Sequence, residues 1–214
     1  MRKLWLFVGT LMAAAPIVCP AARADANVTT LNFAVTRNGE PIGNSTVRLQ
    51  RRGEQTVAEV ATNVQVKFAS FTVYRYEERH VEHWIGNSLA ALNGVTDDNG
   101  SVHKVSVTRN GDKLSVNANG KVTQVDAGVV PASLWNPAVV RINRALNTKD
   151  GSVIPISVVD HGKEQLVLQG RPTTAHHYSI RTTFPQDVWY DDQQRLVRVE
   201  LRGTDGSTIR YQLG

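Results

Sequence analysis

From Leu31 onward the chain repeats one local pattern, apolar residues at every second position followed by a dipeptide that accepts positive φ. Leu31, Phe33 and Val35 point one way while Asn32, Ala34 and Thr36 point the other, the two-residue period of a strand with one buried face. Val47 and Leu49, then Val64, Val66 and Phe68, then Val105 and Val107 (with Val102 out of phase), Leu114 and Val116, and Val197, Val199 and Leu201 continue it. Between them stand Asn38-Gly39, Asn93-Gly94, Asn99-Gly100, Asn110-Gly111, Asn119-Gly120, Asp150-Gly151 and Asp205-Gly206, which suit tight hairpin turns. Turn signals roughly 8 to 12 residues apart leave no room for the helical crossovers of parallel βαβ units. The expected fold is mainly β, an antiparallel meander forming a curved sheet, half-barrel or barrel.

One segment departs from this rhythm. After Pro131-Ala132-Ser133-Leu134-Trp135, Asn136 can cap a helix with Pro137 at its first position and Val139, Ile142 and Leu146 along one stripe. The spacing predicts a single short helix over about 136–146. Its apolar stripe must bury against the sheet, so it is expected to act as a plug or lid.

The first 24 residues follow a different logic. Arg2 and Lys3 precede an apolar run from Leu4 to about Ala15, and Ala22-Arg23-Ala24 offers a small-x-small cleavage site before Asp25, the anatomy of a secretion signal. Pro16, Pro20 and Arg23 interrupt the run before the roughly 20 apolar residues of a membrane span, so no transmembrane anchor is expected. Cleavage near Ala24 would remove Cys19, the only cysteine, and with it any disulfide, thiolate nucleophile or zinc-thiolate site. Ile17 and Val18 before that cysteine do not suit lipid attachment. Without Arg2, Lys3 and Arg23 the 24 Lys and Arg fall to 21 against 19 Asp and Glu, a net charge of +2 instead of +5. With no arginine-rich block either, nucleic acid is not an expected partner. Residues 25–214 contain no linker and read as a single antiparallel β domain in the periplasm or outside a bacterial cell.

Candidate chemistry is sparse. On a strand, His80 and His83 of His80-Val81-Glu82-His83 face opposite sides and cannot share an ion, and adjacent His176 and His177 diverge likewise. Asp160-His161-Gly162 reads as a polar turn. No G-x-S-x-G elbow, phosphate-cradling loop or dinucleotide fingerprint occurs. Asp97-Asp98 and Asp191-Asp192 could support glycoside hydrolysis, but both pairs occupy expected hairpin connections, where aspartate bonds backbone N–H groups. No calcium-loop spacing is present. The sequence assigns no catalytic residue, metal or cofactor.

Aromatic residues cluster at Phe68, Phe71, Tyr74, Tyr76 and Trp84, with Trp135 before the expected helix and Trp189-Tyr190 near the end. Such residues fill β cores, and they also line ligand sites. Tyr74, Tyr76, Trp84, Trp135, Trp189 and Tyr190 are the candidate ligand-binding residues. The favoured function is non-enzymatic binding of an apolar or amphipathic, lipid-like molecule between the concave sheet and the Trp135 segment. One alternative is a scaffold that contacts another envelope protein through strand edges or through Arg48, Arg51 and Arg52. The other is an enzyme on envelope carbohydrate or a lipid precursor, using Asp97, Asp191, Glu82 and histidines gathered by the fold.

Several motifs carry a family likeness. Leu31-Asn32-Phe33, Asn38-Gly39-Glu40-Pro41-Ile42-Gly43, Leu134-Trp135-Asn136-Pro137, Trp189-Tyr190-Asp191-Asp192 and Asp205-Gly206-Ser207-Thr208-Ile209-Arg210-Tyr211 together resemble an uncharacterised family of exported bacterial β-proteins. The resemblance spans essentially all of 25–214 and implies an exported, mainly antiparallel protein with no activity to carry over. The hairpin from Trp189 to Leu201 is similar to one in periplasmic lipoprotein carriers, whose half-open barrels hold acyl chains beneath helices; this likeness covers a dozen residues.

Overall fold

The computed structural model describes residues 27–214, so the expected secretion signal and Cys19 lie outside the described residues. Eight strands follow one another as hairpins: β1 Asn27–Arg37, β2 Glu40–Arg52, β3 Gln55–Phe68, β4 Phe71–Ile85, β5 Ser88–Asp98, β6 Ser101–Asn110, β7 Lys113–Ala118 and β8 Lys121–Asp126. A connecting segment holds β9 Val130–Pro131, a 3-10 turn at Pro137–Arg141, β10 Arg144–Leu146 and β11 Val153–Pro155. Five further strands complete the chain: β12 Ser157–Leu168, β13 Arg171–Arg181, β14 Gln186–Asp191, β15 Leu196–Arg202 and β16 Thr208–Leu213.

The long strands form one 13-stranded sheet in the order β12-β13-β14-β15-β16-β1-β2-β3-β4-β5-β6-β7-β8. Every pairing in it is antiparallel, and β16 on β1 joins the two runs of hairpins. The edge strands β12 and β8 do not pair, so the sheet stays open. Asn38, Asn99 and Asn119 turn with φ near 50°, each followed by glycine, as a two-residue hairpin loop requires.

Alternation converts directly into burial. Leu31, Phe33 and Val35 of β1, Leu49 of β2, Val188 and Tyr190 of β14 and Val199 of β15 face inward, where most of them pack on Val139, Ala145 and Ile156 of the connecting segment. From the other half of the sheet, Leu89 and Leu92 (β5), Val105 and Val107 (β6) and Leu114 and Val116 (β7) pack on Leu146 and Val129. Adjacent Ala145 and Leu146 thus serve opposite halves, which requires the sheet to wrap around them. Each fully buried Leu or Val contributes about 1.5–3 kcal/mol.

The plug is not the helix that the stripe predicts. Asn136 caps as expected, its side chain accepting from Ala138 N at 3.0 Å, but the helical part ends at Arg141 and Ile142 is extended. Val139, Val140 and Ile142 are β-branched, which weakens a helix. Inside the sheet, β10 instead pairs on both sides, antiparallel to β11 and parallel to β9, satisfying its buried backbone groups. Asn93-Gly94 is likewise no turn: it lies within β5, where Gly94 faces His80 and an added Cβ would stand 3.0 Å from the His80 Cβ. No helix among the described residues is long and apolar enough to cross a membrane.

Candidate functional site

Strand β4 presents an unusual inward face. Tyr76, Glu78, His80, Glu82 and Trp84 alternate toward the interior, and His80, Glu82 and Trp84 are buried there. Buried carboxylates need partners, and the plug supplies several of them. His80 Nδ1 lies 3.0 Å from Glu78 Oε1 and Nε2 lies 3.2 Å from Glu82 Oε1. Glu82 also accepts from Ser133 Oγ, from Trp84 Nε1 at 2.8 Å and from Trp135 Nε1 at 3.2 Å. Glu78 accepts from Thr148 Oγ1 at 2.9 Å and Tyr76 OH at 3.1 Å. Three plug residues, Ser133, Trp135 and Thr148, are therefore fastened to one strand through a carboxylate–imidazole–carboxylate chain.

Burial alone would push the His80 pKa down, but the hydrogen bonds and charges of Glu78 and Glu82 outweigh it and hold the value up at about 9. Burial would raise Glu78, and its bonds to His80, Thr148 and Tyr76 instead bring it below the usual carboxylate range. Burial, reinforced by the Glu78 charge, pushes Tyr211 up to about 12 and Tyr76 further still.

Ser133 Oγ lies 3.4 Å from His80 Nε2, with Glu78 on the far ring nitrogen, the connectivity of a Ser–His–Glu triad. The chemistry does not follow. An imidazole protonated between two carboxylates has no lone pair to take the serine proton, and Glu82 occupies both Ser133 Oγ and the ring nitrogen that would act as base. Ser133 is buried as well. The cluster clamps the plug; nothing in its geometry activates a nucleophile.

At the end of the half-barrel beside this clamp, a recess of about 460 Å³ opens between Leu31, Leu49, Trp84 and Trp135, with Arg51 and Arg195 among its lining side chains. Trp84 and Trp135 meet edge to face, 5.9 Å apart at 89°. A larger depression of about 770 Å³ lies over Glu77, Arg79, Asp97 and Lys104, with Val95 and Val105 also among its lining side chains.

Of the sequence-derived candidates, Trp84 and Trp135 meet in the recess. Tyr76 faces the same interior further along β4, and Tyr74 donates to Asp98 Oδ1 at 2.8 Å near the opposite end. Tyr190 is fully buried, and its OH donates to Leu134 O at 2.7 Å, which makes it a second fastening for the plug. Trp189 packs in a separate cluster with Leu166, Leu168, Ala175 and Val197, on the face of β14 opposite Tyr190. The acids do not converge. Asp97 accepts from Gly100 N at 2.7 Å, and Asp191 accepts from Gln193 N and Arg195 N at 3.0 and 2.9 Å, each shaping a turn. Alternating strand direction puts those turns at opposite ends of the sheet. His80 is buried while His83 is exposed, as the strand period requires. Asp160-His161-Gly162, expected as a turn, is instead a bulge inside β12. The buried role of Glu78 and His80 escaped sequence reasoning; the signal available was a run of polar residues in the phase of the buried Trp84.

The fold defines a barrel-like class. Over 90% of this chain and 97% of the other, it is similar to the crystal structure of a beta-barrel-like protein of the domain of unknown function DUF1849 from Brucella abortus, with a TM-score of 0.61 at 9% identity. At that identity the likeness shows the architecture alone. The chain itself belongs to the family described as domain of unknown function DUF6134, whose model matches residues 33–214. Comparison with curated proteins returns no match.

Proposed function

We propose that this is an exported envelope protein, cleaved near Ala24 and released to the periplasm or the medium, that binds an apolar or amphipathic, lipid-like ligand in the recess beside Trp84 and Trp135. The recess is the observation that carries the reading. Its volume of about 460 Å³ falls within the range of small-molecule sites, roughly 300–1,000 Å³. Trp135 offers half-buried indole surface above the nearly covered Leu31, Leu49 and Trp84, apolar contact being worth about 0.8 kcal/mol per methylene buried, while exposed Arg51 brings positive charge suited to an anionic headgroup and Arg195 is paired with Asp191. The plug fills the interior behind the recess, so the ligand sits at the mouth, and the binding is shallower than enclosure by the whole sheet.

Native mass spectrometry of detergent-free protein and tryptophan fluorescence during palmitate or lysophospholipid titration test this. A copurifying lipid mass or a saturable fluorescence change, lost in Trp135→Ala, is expected. A clean apo mass together with flat fluorescence would overturn the proposal.

A second reading, a scaffold or assembly component of the envelope, draws on a different feature. The β3–β4 hairpin tip exposes Phe68 by 76% and Phe71 by 74%, which suits contact with another envelope protein. Enrichment of one defined partner by the wild type and not by a Phe68→Ser/Phe71→Ser variant would favour it. An enzyme acting on envelope carbohydrate or a lipid precursor has no comparable support.

A further inference from the structure

On the opposite side of β14 from Tyr190, we propose a divalent transition-metal site of the zinc class, built from His161, His177 and Asp187. It lies apart from the recess and does not depend on the ligand-binding reading.

The backbone explains why these three meet. The ladder between β12 and β13 shifts at Asp160/Gly162, leaving His161 as the extra residue of a bulge. Gly162 adopts φ 80°, and Asp160 Oδ1 accepts from its N–H at 2.7 Å, which stabilises the detour. The bulge carries His161 onto the face that His177 shares with its cross-strand partner Trp189. Asp187, two residues before Trp189 on β14, reaches the same face from the next strand.

The donors are already gathered. One ligating atom from each of the three residues lies within 4.8 Å of the other two. His177 Nε2 and Asp187 Oδ1 are 3.3 Å apart. Ligand atoms around a tetrahedral zinc ion, with bonds of about 2.0 Å, stand about 3.3 Å from one another. The His161 and His177 rings stack at 4.5 Å with a 26° tilt. Ser179 Oγ bridges the two, accepting from His161 Nε2 at 2.8 Å and donating to Asp187 Oδ1 at 2.5 Å, and a bound ion would replace these bonds. Exposed His161 can close the remaining gap by rotating its side chain.

A supporting layer fits the same purpose. Glu164 Oε2 lies 3.7 Å from His177 Nδ1, and Glu164 Oε1 accepts from Trp189 Nε1. At 3.7 Å the Glu164 contact is an ion pair and not a hydrogen bond; the ring's hydrogen bond runs from Nε2 to Asp187, so a bound metal would displace the Nε2 proton. Trp189 stacks on His177 at 4.3 Å and Arg198 lies over the indole at 5.7 Å, restraining the imidazole. Two imidazoles and one carboxylate make a three-ligand set that leaves a coordination position for water or an external ligand.

The test uses the whole chain without a histidine tag, with Zn²⁺ titrated against a chromogenic chelator and Cu²⁺ titrated against tryptophan fluorescence. One equivalent of Zn²⁺ should bind at micromolar affinity or tighter. His161→Ala, His177→Ala and Asp187→Asn should each weaken it at least about tenfold. Cu²⁺ should quench the wild type strongly and Trp189→Phe weakly, because Trp189 is the indole stacked on a ligand. His83→Ala, at an exposed site elsewhere, should bind as the wild type does. His161→Ala decides the matter even if His177→Ala fails to fold, since His161 is exposed. Binding no tighter than millimolar, or full-affinity binding by His161→Ala, would make the cluster a hydrogen-bonded ladder only.

Discussion

Raising the pH from 6.5 to about 9.5 should destabilise the fold through His80. The ordinary value of the imidazole is 6.5, and between Glu78 and Glu82 it rises to about 9. A group whose pKa is higher when folded contributes its full stabilisation below the unfolded value and loses it as pH rises through the folded one. At about 1.4 kcal/mol per pH unit, the interval from 6.5 to about 9 amounts to about 3 kcal/mol. For a domain of this size that corresponds to a fall of about 6–12 °C in Tm. Urea unfolding across this pH range, followed by tryptophan fluorescence, measures the loss directly, because Trp84 and Trp135 both donate to Glu82. His80→Gln cannot titrate; it should be less stable than the wild type at pH 6.5 and nearly flat above it. If the wild type is flat to about pH 9.5, or if His80→Gln shows the same slope, the imidazole is not the charged centre of the clamp.

Two core substitutions and the two binding experiments complete the expectations. Leu146→Ala, at a fully buried plug position serving the β5–β7 half of the sheet, should cost about 2–5 kcal/mol in urea unfolding. Gly43→Ala would bring a Cβ within 2.0 Å of Asn63 O, a backbone atom that cannot move aside without breaking the β2–β3 ladder, so a loss of about 3 kcal/mol or more is expected in the same assay. Trp135→Ala should abolish the fluorescence response to lipid, and His161→Ala the tight binding of Zn²⁺.

The strand pattern was legible because it is local: Leu31, Phe33 and Val35 declare a buried face without reference to any other strand. Turn dipeptides were legible wherever chain reversal was their only role, as at Asn38-Gly39 and Asn99-Gly100. Asn93-Gly94 misled because its glycine answers to the bulk of His80 on the neighbouring strand. The helix stripe at 136–146 misled for a related reason, since hydrogen-bonding partners on both sides of β10 outweighed local spacing. Bulges hid the rest. Val197 and His161 each occupy an extra residue in their strands, so their directions depart from strict alternation and cannot be counted from sequence.

By itself the sequence determined an antiparallel β chain with an apolar inner face and a segment that breaks the pattern, because period and turn chemistry are properties of neighbours along the chain. Only the tertiary structure decided that Glu78, His80 and Glu82 clamp that segment, that Trp84 meets Trp135, and that His161 meets His177 and Asp187. Those meetings depend on sheet curvature, cross-strand register and single-residue bulges, which set distances between residues remote in sequence and are not read from neighbours along the chain.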